Sequence, residues 1–206
     1  MTRRRDPYAQ QVFVNCPFDN DYKPLFQALI FCVADCGFVP RCALEVTDSG
    51  EARIEKIFRI IGECKLALHD ISRVELDKIS GLPRFNMPFE FGAFLGARRF
   101  GSGRQKAKSC LVLDVERYRF QRFLSDIAGQ DIAPHGGDAR QAVRRARDWL
   151  QGYSSREVPG GAEVWRRFES FQNDLPVLCA AHKVELDELT FIDRRALMAK
   201  WLRRYP

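Results

Sequence analysis

Apolar and polar positions along this chain switch between two periods. Gln11-Val12-Phe13-Val14-Asn15 is a short β-rich run closed by Pro17 and the polar Asp19-Asn20-Asp21. Over residues 24–36 the apolar side chains Leu25, Leu29, Cys32 and Val33 recur at helical spacing, and Gly37 stops the helix. Residues 38–43 predict a second strand, which Pro40 places at or near a sheet edge. Turn residues Thr47-Asp48-Ser49-Gly50 then precede a helix whose buried face is Ile54, Ile57, Phe58 and Ile61. Leu66-Ala67-Leu68-His69-Asp70-Ile71 and Ser109-Cys110-Leu111-Val112-Leu113-Asp114 are nearly continuous apolar runs, the pattern of strands buried on both faces. Helical spacing returns over residues 120–128 and 138–151, separated by residues 129–134, a candidate last short strand.

Strands alternating with helices predict an α/β domain over residues 10–152: a flavodoxin-like open parallel sheet with helices on both faces. Residues 153–161 have linker composition. Residues 163–206 read as helical throughout, so residues 160–206 form a predicted helical appendage. Its Trp165, Phe168, Phe171 and Trp201 are too many large apolar residues for a solvated arm, so they must bury against the core, one another or a partner.

Composition narrows the partners. With 206 residues and 16 Phe, the chain has the material for a sizeable core. The net charge of +6 comes from mixed signs, 33 basic against 27 acidic residues, which by itself implies only a well-solvated surface. No apolar run has the length of a membrane span, and Met1-Thr2-Arg3-Arg4-Arg5-Asp6 lacks a signal-peptide apolar region, so the expected location is the cytoplasm. The seven cysteines are odd in number and lack CxxC spacing, which favours buried reduced thiols over disulfides or a metal site.

In open parallel sheets, ligands bind beyond the carboxyl ends of the strands. The first strand delivers Asn15, Cys16, Pro17 and Phe18 there; the second leads to Asp48 and Ser49; the third delivers Asp70 and Ser72; the fourth delivers Asp114. No GxGxxG follows the first strand and no P-loop is present, which argues against a Rossmann dehydrogenase and a P-loop NTPase.

After the third strand comes Arg84-Phe85-Asn86-Met87-Pro88-Phe89-Glu90-Phe91-Gly92-Ala93-Phe94-Leu95-Gly96-Ala97, a loop turning into a helix. Pro88 suits a first helical turn and Asn86 is a candidate cap. Glu90 is the one carboxylate on an otherwise apolar or small surface, and in a first turn it is biased toward staying ionised. Gly92, Ala93, Gly96 and Ala97 leave room for another backbone or a flat ligand.

The order Val12-Phe13-Val14-Asn15-Cys16-Pro17-Phe18-Asp19, then His69-Asp70-Ile71-Ser72, then Asn86 through Ala97 resembles the TIR-like nucleotide-binding proteins of bacteria, related in fold to the nucleoside 2-deoxyribosyltransferases. The resemblance covers about residues 11–150. It implies that Glu90 is a catalytic carboxylate acting at the glycosidic carbon of NAD or a related nucleotide, with NAD a substrate or ligand and no separate cofactor or metal. It also implies an oligomer and a role in bacterial defence or conflict. Two departures leave the substrate open: Asn15-Cys16-Pro17-Phe18 replaces the family's Ser-rich loop, and Arg84-Phe85-Asn86-Met87-Pro88 replaces the Asp-Ser-Gly-Thr run.

For NAD the nicotinamide is already cationic and leaves neutral, so one ionised carboxylate suffices. A neutral base would need a proton donor, for which Asp70 is the candidate. Phe18 and Phe85 are candidates to stack on a ring, and Arg41, Arg53 and Arg84 to meet phosphates. A module that senses the nucleotide without cleaving it, and a deoxyribosyltransferase, are the alternatives. Nucleic-acid binding is disfavoured: residues 98–108 hold five basic and no acidic side chains, but lack aromatic interleaving and read as a solvated loop.

Overall fold

The computed structural model describes residues 6–45, 48–76 and 81–205. Five strands form one all-parallel sheet in the order β2-β1-β3-β4-β5: β1 (Gln11–Asn15), β2 (Val39–Arg41), β3 (Leu66–Asp70), β4 (Ser109–Asp114) and β5 (Ala133–Pro134). This is the flavodoxin-like doubly wound order, and its switch point lies between β1 and β3. β1 and β3 sit at the centre, and all five residues of β3 are buried, as its continuous apolar run predicts. β2 is an edge strand, in keeping with Pro40, but it is shorter than predicted.

After α1 (Pro7–Gln10), the helices are α2 (Lys23–Asp35), α3 (Arg53–Glu63), α4 (Asn86–Phe100), α5 (Ala139–Gln151), α6 (Gly161–His182) and α7 (Phe191–Arg204). Successive strand residues point to opposite faces, and this sorts the core. Val12, Val14, Leu66, Leu68, Leu111 and Leu113 pack under α2 and α5, whereas Phe13 and Ala67 pack under α3 and α4.

The helix α2 is apolar almost all round, with every residue from Ala28 to Val33 buried. Such a helix needs cover on both sides. The sheet covers one side, and α6 and α7 cover the other: Phe31 meets Phe168, Phe171 and Trp201 at ring-centroid distances of 5.6, 5.5 and 5.9 Å. Burying each such ring contributes about 1.5–3 kcal/mol. The C-terminal helices thus share one hydrophobic cluster with the sheet and α2. Asp35, buried at the end of α2, pins α6 through Arg167, 3.1 Å from its Oδ1. Gly37 then turns the chain at φ +89, and a side chain there would collide with the guanidinium of Arg156.

Three expectations need correction. Residues 120–128 form only 3₁₀ turns, Arg119–Arg122 and Ser125–Ile127. Tyr118 at φ 67 redirects the chain just before them, and Phe120 plugs a small cluster with Val112 and Ile132 instead of lying on a helix face. The tail is not helical throughout: α6 ends at Lys183 in the left-handed region, and a Thr190–Asp193 capping box restarts the chain as α7. The basic run at residues 98–108 is not simply a solvated loop, because Lys108 is buried. Its ammonium donates to the carbonyl oxygens of Ile61 (2.5 Å) and Cys64, and burial lowers it to about 8. Thr47 and residues 1–5 lie outside the described residues.

Candidate functional site

The carboxyl ends of β1 and β3 and the start of α4 meet through one side chain. Buried Asn15 donates through Nδ2 to the Met87 carbonyl (2.9 Å) and lies 3.0 Å from His69 Nδ1. With Nδ1 facing an amide donor, the His69 proton belongs on Nε2, which has no hydrogen-bond partner among the described residues. The ring is enclosed by Phe13, Phe91 and Phe94, and burial pushes its pKa down to about 3. His69 is therefore a neutral packing residue that helps set Asn15.

Asp70 is fully buried, and its oxygens are engaged inside the protein. Oδ1 accepts from the Ser72 backbone N–H at 2.8 Å, and Oδ2 accepts from the Tyr22 hydroxyl. His135 Nε2 lies 3.1 Å from Oδ2, though off the line of a good hydrogen bond. His135 Nδ1 accepts from the Gly137 N–H at 3.0 Å, which leaves the ring proton on Nε2, facing the carboxylate. Asp114 at the end of β4 is also buried; it holds Arg119 at 2.5 Å, and Arg119 donates onward to the Ser72 carbonyl at 2.7 Å. These links brace the loop after β3.

Glu90 is the exception. It is only 6 % exposed, yet among the described residues it forms no hydrogen bond or ion pair. The first-turn placement expected for it is corrected by the structure. Asn86 is already the first residue of α4, the capping position falls on Phe85 without a side-chain cap, and Glu90 lies in the second turn, beyond the free N–H groups. Burial raises its carboxyl from 4.5 to about 7, against a weaker opposing pull from the Arg53 guanidinium. The expected bias toward ionisation is reversed. Cys16 senses the charges of both Asp70 and Glu90, but chiefly burial raises its thiol well above the ordinary range, so it stays a neutral wall residue.

The structure thus brings Asn15, Cys16, Asp70, Ser72 and Glu90 to one region, all buried, with buried Pro17 and half-buried Phe18 beside them. Asp19 ties the loops together through Arg73 (3.0 Å) and Arg84 (3.3 Å). Arg84, Phe85 and Asn86 are exposed at the entrance to α4. Asp48 and Ser49 are exposed before α3; Asp48 bonds locally to the Gly50 N–H and to Lys56, and neither hydrogen-bonds to Glu90. Arg41 is held by Glu45 and Glu63 at the β2 edge, lining a cavity of about 980 Å³ away from the switch point, so it is not at hand for a phosphate there. Tyr22, Arg119 and His135 are the members that sequence reasoning missed.

Among the described residues, no group of three or more His, Cys, Asp or Glu side chains is placed to hold a metal ion, and no helix is long and apolar enough to cross a membrane. All seven cysteines are free. In comparison with known proteins, no family model and no curated protein matches the chain.

Proposed function

We propose that this edge of the sheet binds NAD or a related nucleotide and that Glu90 acts at its N-glycosidic bond. The observation that carries the reading is a largely buried carboxyl group, without a hydrogen-bond or ion-pair partner among the described residues, beside the switch point of a parallel sheet and raised to about 7. A carboxyl in that state responds to the charge of its ligand. Without a bound cationic ligand it is about half protonated at neutral pH; a cationic nicotinamide ribosyl group favours the ionised form. As the bond from C1′ to the nicotinamide nitrogen breaks, its electron pair goes to the ring and the nicotinamide leaves neutral. Positive charge then develops on the ribosyl group, where an ionised Glu90 stabilises it. Water adds at C1′ and gives up a proton, and Glu90, with its pKa near neutrality, is suited to accept it.

The internal engagement of Asp70 supports a substrate whose leaving group needs no proton. A neutral base would call on Asp70 as donor, yet its oxygens face Tyr22, His135 and the Ser72 amide, which favours the NAD-like substrate over a deoxyribosyl transfer. Exposed Phe85 and Arg84 at the head of α4 are the candidates to meet a base ring and a phosphate, and Asp70, Asn15 and Ser72 are positioning residues. The test is release of free nicotinamide from NAD by wild type and Glu90→Gln. Release by wild type that is lost in the variant supports the reading. Wild type that binds NAD and never cleaves it, even when concentrated, replaces this reading with a nucleotide sensor.

A further inference from the structure

The edge strand β2 faces α7 across the cavity of about 980 Å³ that Arg41 lines. Ile192, Arg195, Ala196, Ala199 and Arg203 recur every three or four residues, so one stripe of α7 forms the opposite wall. The middle is apolar: Val39 and Ile192 are exposed there, with Ala196, Ala199 and Leu202 beside them. Charge gathers at the two ends, and the ends differ. Beside the turn that follows β2, Glu45 meets both Arg41 (2.5 Å) and Arg195 (3.3 Å), Arg41 also meets Glu63 (3.0 Å), and Arg59 meets Glu51 (2.8 Å). Those three guanidiniums have three carboxylates, and Asp48 adds a fourth to the lining. At the Gly37 end, Arg156 and Arg203 have no carboxylate of their own. Arg156 donates to the backbone carbonyl of Asp35, whose carboxylate is taken by Arg167 at 3.1 Å. Arg203 forms no ion pair among the described residues, and Arg167, which also donates to the Tyr205 carbonyl, draws the end of α7 to this side. Gly37 seats Arg156: a Cβ there would lie 2.7 Å from its Nε, so the missing side chain lets the guanidinium lie against the backbone.

We infer that this cavity is a second ligand site, separate from Glu90, and that it takes a phosphate monoester with an apolar body. Its volume lies within the range of about 300–1,000 Å³ usual for small-molecule sites. A phosphate monoester carries about −1.5 to −2 at neutral pH, which balances the two guanidiniums; a single carboxylate leaves one of them uncompensated. Both guanidiniums are planar forks suited to paired phosphate oxygens. An apolar body laid toward α3 covers Val39 and Ile192, and the balanced far end neither attracts nor needs a second anion. An added peptide strand fits this edge poorly. Pro40 offers no N–H, and Arg195 already approaches its carbonyl at 3.5 Å.

The test is isothermal titration calorimetry of the full chain with 1-naphthyl phosphate, with 1-naphthol and inorganic phosphate as the two halves of that probe. No turnover is read, so its failure leaves the reading of Glu90 untouched. Wild type should bind one 1-naphthyl phosphate more tightly than either half. Arg203→Glu should weaken binding about tenfold or more, because a charge-assisted contact is replaced by repulsion. Ala199→Trp, which fills the apolar middle from an exposed helix position, should abolish it. Ala199→Trp decides the matter if Arg203→Glu fails to fold. Wild type that does not bind the probe overturns the inference, as does either half binding as tightly as the whole. Wild-type affinity in either folded variant places the probe elsewhere and overturns it too.

Discussion

Replacing Glu90 by Gln should stabilise the protein above neutral pH. Burial raises the folded-state carboxyl from 4.5 to about 7, so between those values the folded chain keeps a proton that the unfolded chain has lost. The unfolded state binds fewer protons across that window, and the contribution of Glu90 to stability falls as pH rises through it. The full displacement is equivalent to about 3 kcal/mol. Gln keeps the size of the side chain and removes the titration. The variant should therefore match wild type near pH 4.5 and exceed it by about 2–3 kcal/mol at about pH 8. For a chain of this length that is a rise of roughly 5–10 °C in Tm. Urea unfolding of both proteins over a pH series isolates the difference, provided the m-values agree. A difference that does not change with pH, or a variant less stable than wild type at about pH 8, would refute the assignment of Glu90 as a carboxyl strained by burial.

Two further outcomes follow from the packing. Tyr22→Phe removes the buried hydroxyl donor to Asp70 and should cost about 1–3 kcal/mol in urea unfolding; no loss would mean that the Tyr22–Asp70 bond does not brace this edge. Truncation after Gly160 removes α6 and α7 and uncovers Phe31 on α2, so the shortened chain should aggregate by light scattering; a monodisperse folded product would show that α2 does not need their cover.

The parallel sheet is legible in the sequence because β1, β3 and β4 are continuous apolar runs, and because Pro40 marks an edge. β5 is harder to read: two residues carry no period, and they form a strand only because β4 offers an unpaired edge. The requirement that the large apolar residues of α6 and α7 be buried is also visible, but their partner is not. It becomes evident only when α2 is seen to need cover on two sides. Glu90 stands out by its type among small and apolar neighbours, whereas its protonation state depends on how α4 begins and how deeply the side chain is buried. The engagement of Asp70 could not be read at all. Tyr22 lies 48 positions before it, and His135 reaches it only because β5 ends beside β4. The expected approach of Asp48 and Ser49 to the site rested on their following β2, but β2 ends early and the chain passes through a 3₁₀ turn at Ala43–Glu45 before reaching them.

The most direct test of the central claim is nicotinamide release from NAD by concentrated wild type and Glu90→Gln, each first shown to be folded. The account predicts a wild-type kcat/KM that rises as pH passes through about 7, where Glu90 of the free protein ionises. It also predicts a fall of roughly a hundredfold or more in Glu90→Gln, equivalent to about 3 kcal/mol of transition-state stabilisation. Loss of turnover in a variant that is more stable than wild type would separate chemistry from folding. Undiminished turnover in Glu90→Gln, or no release by wild type that binds NAD, would contradict the claim.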